Sequence, residues 1–107
     1  MLDSGLYGVK FKTQRGEGSG VLVLADGKLR GGDTSLAYTG TYTQSGDDFT
    51  ATVKTSRHAL GLPSVFGVDA VDITLKGKST GTAATCTGTA AQAPQITFQA
   101  ALNRISD

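Results

Sequence analysis

A chain of 107 residues amounts to one domain, long enough to close a single core without a large surplus of buried apolar surface. Ten basic and nine acidic residues, interleaved along the length, give a formal net charge of +1 and exclude the concentrated field that gathers nucleic acid or an anionic membrane. Fifteen glycines, fifteen threonines and two prolines fit short strands joined by tight turns and exclude a mainly helical build.

Residues 5–13 open the chain with the clearest strand pattern. Tyr7, Val9 and Phe11 fall on one face, and Lys10 and Lys12 on the other. After a turn near Gln14-Arg15-Gly16, a second strand spans 17–24. Asp26-Gly27 then supplies the two positive φ angles of a type I′ hairpin. A short third strand at 28–30 ends at the corner Gly31-Gly32-Asp33.

The fourth strand, 36–43, sets Tyr38, Gly40 and Tyr42 against Thr39, Thr41 and Thr43. Gln44-Ser45-Gly46-Asp47 turns into a fifth at 48–55, where Phe49, Ala51 and Val53 alternate with Thr50, Thr52 and Lys54. Residues 56–68 break the pattern and read as a lid or end cap. Three more strands follow at 70–76, 82–90 and 95–102. Their inward sets are Val71, Ile73 and Leu75; then Ala84, Cys86, Gly88 and Ala90; then Ile96, Phe98, Ala100 and Leu102. Eight short strands with mostly hairpin connections predict an all-β, single-domain, eight-stranded antiparallel up-and-down barrel spanning residues 1–107. Such a barrel is filled by its side chains or holds one small ligand.

Several residues invite a chemical reading and have a plainer one. Gly16-Glu17-Gly18-Ser19-Gly20 looks like a phosphate loop, but a strand and not a helix follows it, so the glycines serve a tightly coiled sheet. His58 has no carboxylate or cysteine at metal-ligand spacing and reads as an exposed loop residue. Cys86, among alanines and threonines, reads as a small buried apolar residue, and Ser64 lacks a nucleophile-elbow context. No catalytic set, metal or cofactor is expected. As the lone cysteine, Cys86 has no internal disulfide partner, Met1-Leu2-Asp3-Ser4 lacks the regions of a signal peptide, and no apolar run reaches the roughly 18 residues of a membrane span. These features predict a cytoplasmic chain without membrane or direct nucleic-acid contact.

Two surfaces remain. Asp47 and Asp48 sit at a hairpin tip, where carboxylates either cap backbone amides or meet a basic surface on another protein. Leu60-Gly61-Leu62-Pro63-Ser64-Val65-Phe66 gathers apolar residues in a connection. They cap the barrel, unless Leu62 or Phe66 faces water and marks an interface.

The order Gly5-Leu6-Tyr7, Glu17-Gly18, Gly31-Gly32-Asp33 and Tyr38-Thr39-Gly40, resuming at Pro63-Ser64-Val65, resembles the GrlR-like repressors of bacterial type III secretion genes. The resemblance implies a lipocalin-like barrel that dimerises and binds a helix-turn-helix transcriptional activator. It also implies an acidic run after the fourth strand that contributes to that contact. Here the corresponding stretch is Ser45-Gly46-Asp47-Asp48, so only its last two positions are acidic. The expected function is sequestration of an activator through Asp47 and Asp48, with Asp33 nearby. The alternative is a small-molecule or lipid-binding barrel whose cavity is lined by Tyr7, Phe11, Tyr38, Tyr42 and Phe98.

Overall fold

Alternation of apolar and polar residues is realised as eight strands in a computed structural model that describes residues 1–61 and 70–107. They are β1 (Gly5–Thr13), β2 (Gly16–Ala25), β3 (Lys28–Gly32), β4 (Leu36–Ser45), β5 (Asp48–Arg57), β6 (Asp72–Ser79), β7 (Ala83–Ala90) and β8 (Ala93–Ser106). Each pairs antiparallel with the next, and β8 returns to pair with β1, so the sheet closes on itself as an up-and-down barrel. Its extents are 34 × 26 × 19 Å, a flattened cross-section.

The turns follow the chemistry of their residues. Asp26 and Gly27 both have positive φ, 52° and 77°, the pair of angles a type I′ hairpin needs. At the β4–β5 turn Gly46 alone is positive, at 61°, and Ser45 pairs directly with Asp48.

Most strand ends differ from the sequence reading: β3 continues through Gly31 and Gly32, which pair with Tyr38 and Ala37 and do not form the expected corner, and β5 runs on to Arg57, into the segment expected as a lid, whose residues 62–68 lie outside the described residues. β8 runs for 14 residues because it is staggered between two neighbours: its earlier part pairs with β7 from Ala93, and its later part reaches Leu6 of β1 through Ser106. β6 begins at Asp72 although Val71 is already inward and buried, because the Val71 amide donates to Thr55 Oγ1 at 3.2 Å.

The interior holds the predicted inward sets. Tyr7, Leu24, Leu29 and Phe49 are fully enclosed, with Val53, Ile73, Leu75, Cys86, Phe98 and Leu102 among the buried residues around them. Glycines in β2 make room for the aromatic rings. A Cβ on Gly18 would lie 2.8 Å from the Phe11 ring opposite it, and one on Gly20 would lie 2.8 Å from the Tyr38 hydroxyl.

The end of the barrel at the β4–β5 and β6–β7 turns is closed by residues 1–4, to which the sequence assigned no role. Leu2 is buried. Its amide donates to Gln44 Oε1 at 2.7 Å and its carbonyl accepts from Gln44 Nε2 at 3.1 Å. The Tyr7 hydroxyl donates to the Asp3 carbonyl at 2.6 Å, and Arg104 Nη2 donates to that of Ser4 at 2.7 Å. A buried side chain flanked by these bonds fixes the segment as a plug.

Candidate functional site

At the β4–β5 tip the carboxylates of Asp47 and Asp48 are 76 % and 63 % exposed. The turn beneath them is held in place: the Asp47 carbonyl accepts the Ser79 amide of β6 at 2.8 Å. Each carboxylate already has a cation. The Met1 ammonium donates to Asp47 Oδ1 at 2.9 Å, and Lys78 Nζ donates to Asp48 Oδ1. The hydrogen bond from the ammonium, and then its charge, hold the Asp47 carboxyl below its ordinary value. The hydrogen bond to Asp48 raises the Lys78 ammonium in turn. The tip therefore presents two carboxylates whose charge is shared locally, through pairs that water screens and an incoming cation can replace.

Asp33 does not join them. It lies at the β3–β4 corner, and the ten residues of β4 place it roughly 30 Å from the tip at about 3.4 Å per residue. Its carboxylate is turned inward, accepting the amides of Ser35 at 2.9 Å and Leu36 at 2.7 Å as well as the Tyr38 hydroxyl. Desolvation pushes this carboxyl upward, but the three donors, Tyr38 first, outweigh it and the net shift is downward. Burial raises the Tyr38 phenol, and its bond to Asp33 adds to that. The Asp33 carbonyl also meets His58 Nε2 at 2.9 Å, which ties the corner to the end of β5 and gives that exposed histidine a structural partner.

Of the five aromatics expected around a ligand, the fold gathers three. Phe11 stacks on Phe98 with centroids 5.8 Å apart and meets Tyr38 edge-on at 6.2 Å, and all three line the internal space with Leu36, Val53 and Val71. Tyr42 stacks instead on Phe49 at 5.8 Å, and Tyr7 is enclosed with its hydroxyl on Asp3. Among the described residues, the void that these side chains line measures about 60 Å³. An apolar cavity that admits benzene measures about 150 Å³, so this one has no room for a lipid or an aromatic ring without movement of its walls.

The sequence reading missed a feature on the outer wall. Register carries Lys10 of β1 to Ala101 of β8, Thr85 of β7 and Lys78 of β6 in one row. The adjacent row runs Lys12, Gln99, Thr87, Lys76. Four long cationic side chains thus flank a floor of mostly short residues in an open groove of about 820 Å³, which Glu17, Gly18 and Ser19 of β2 also line. Two lysine pairs at alternate positions were the signal in the sequence. Their convergence depends on the closure of β8 onto β1.

Cys86 is buried at 3 % exposure, and desolvation pushes its thiol up to about 11, the state of an inert core residue. Among the described residues, no three His, Cys, Asp or Glu side chains gather as a metal site, and no helix is long and apolar enough to cross a membrane. Leu62 and Phe66, the expected interface residues, and Ser64 lie outside the described residues. No known protein family matches the chain in a family scan, and no curated protein matches it in a sequence search.

Proposed function

We propose that this protein is a non-enzymatic, cytoplasmic regulator that binds and sequesters a helix-turn-helix activator of type III secretion genes. The observation that carries the reading is the pair of exposed carboxylates, Asp47 and Asp48, on a turn anchored to β6 by the Ser79 amide. The apolar side chains that fill much of the barrel interior support a reading in which recognition is external. A basic DNA-reading surface exchanges its phosphate contacts for these carboxylates, displacing the Met1 ammonium and Lys78, and cannot hold both at once. The resemblance to GrlR-like repressors supports the same partner class.

The reading includes a homodimer, and the outer wall offers it an apolar strip. Val21 and Val23 of β2 are 47 % and 45 % exposed, and Ile105 of β8, 60 % exposed, lies over Gly8 of β1, the residue that pairs with Val21.

The test is affinity capture from the native host with wild-type protein and with Asp47→Asn/Asp48→Asn, followed by identification of the recovered proteins. The wild type recovers a helix-turn-helix activator, and the double variant loses it by about tenfold or more. Equal recovery by both would remove the tip from the mechanism.

A further inference from the structure

We propose that the lysine-framed groove on the outer wall binds an extended acidic segment of a partner polypeptide, a contact beyond the hairpin tip that shares with it only Lys78.

Charge selects the class of ligand. Of the six lysines in the chain, four frame this groove. The acidic residues at its margin are Glu17, opposite Lys12 in the β1–β2 ladder, and Asp48, paired with Lys78. Among the described residues no carboxylate lies within ion-pair distance of Lys10, Lys12 or Lys76, and all three are exposed. A chain with a net charge of +1 thus concentrates unpaired positive charge on one stretch of its wall.

Dimensions select the form. Lys10 and Lys12 are two residues apart on one strand, a separation of about 6.8 Å, and so are Lys76 and Lys78. The two rims are three inter-strand steps apart, about 14 Å around the wall. An extended polypeptide lying along β7 and β8 sends successive side chains to opposite sides, and those on one side repeat at the same spacing of about 6.8 Å. A run of acidic residues then places alternate carboxylates toward the β1 rim and the β6 rim. The floor of Thr85, Thr87 and Gln99 offers hydrogen-bonding side chains to the peptide between them. Because the barrel is closed, the peptide cannot add as a strand, and its contacts are made by side chains.

The floor also argues against a single-stranded nucleic acid. Its one aromatic residue among the described residues, Phe11, has its ring packed against Phe98 and Tyr38 and not laid open for base stacking, and no arginine lines the groove for bidentate phosphate contact.

The experiment measures fluorescence anisotropy of a labelled Gly-Ser peptide carrying four consecutive glutamates, titrated with the full chain at low salt. Parallel probes are the same peptide with glutamines and a ten-nucleotide oligothymidine. The glutamate peptide should bind and weaken steeply with salt, while the glutamine peptide does not bind. Lys10→Gln/Lys12→Gln should weaken binding about tenfold, whereas Lys28→Gln/Lys54→Gln, which removes the same charge elsewhere, changes it less than about twofold. Binding should shift the amide resonances of Thr85, Thr87 and Gln99, and both double variants should keep the wild-type circular dichroism spectrum. Absence of binding at low salt, equal loss in the two double variants, or tighter binding of the oligothymidine would overturn the proposal.

Discussion

The hydroxyl of Tyr38 donates to the carboxylate of Asp33 across the β3–β4 corner, joining the wall of the internal void to the residue that organises the turn. Tyr38→Phe keeps the ring against Phe11 but leaves the carboxylate with two backbone donors. It should lower stability by about 2 kcal/mol, the usual worth of a hydrogen bond to a charged group, read from urea unfolding.

The same carboxyl gives the fold a pH dependence. Asp33 titrates below its ordinary value in the folded chain. Its stabilisation is therefore complete above the unfolded value near 3.9 and is lost as pH falls toward the lower folded value. The stability difference between wild type and Asp33→Asn should be constant from neutrality to about pH 5 and shrink below about pH 4. A gap that widened on acidification would contradict this assignment.

Gly18 faces the Phe11 ring at a distance that no Cβ tolerates. Gly18→Ala should destabilise by about 1 to 3 kcal/mol through overpacking. Much of that cost should disappear in a Phe11→Leu background, because the clash requires the ring. A double-mutant cycle in urea measures the coupling.

Cys86 is enclosed and its thiol is held up to about 11 by burial. At pH 8 the native chain should react with iodoacetamide about a hundredfold more slowly than the urea-unfolded chain, monitored by mass. Comparable rates would mean that the β7 wall opens readily.

Val23→Lys places a charge in the apolar strip of Val21, Val23 and Ile105 without touching the core. If two copies meet there, sedimentation should show the wild-type dimer weakened by at least about tenfold in the variant, with an unchanged thermal transition at low concentration.

Alternation at period two made the barrel legible in the sequence. Once Tyr7, Val9 and Phe11 are assigned to one face, Leu22 opposite Tyr7 and Leu24 opposite Gly5, then Leu29, Tyr38 and Phe49, fall on the same side by hairpin register. The separation of Asp33 from Asp47 was implicit in the same reading, because they flank a single strand. Alternation does not reveal which outer residues become neighbours when the sheet closes. The approach of Lys10 and Lys12 to Lys76 and Lys78 depends on contacts between opposite halves of the chain. Nor did residues 1–4 carry a periodic signal: Leu2 sits between an exposed Met1 and the polar Asp3 and Ser4, and only the open barrel end beneath it makes it core.

Seven of the eight ladders join strands that follow one another in sequence, whereas the eighth sets Leu6 opposite Ser106. That seam must be stitched across nearly the whole polymer, so its loop entropy is the largest in the molecule. Hairpins can zip locally and early; the β1–β8 seam forms late and sets the pace of folding. Substitutions at Val9 or Leu102, which face each other there, should accordingly slow refolding more than they speed unfolding.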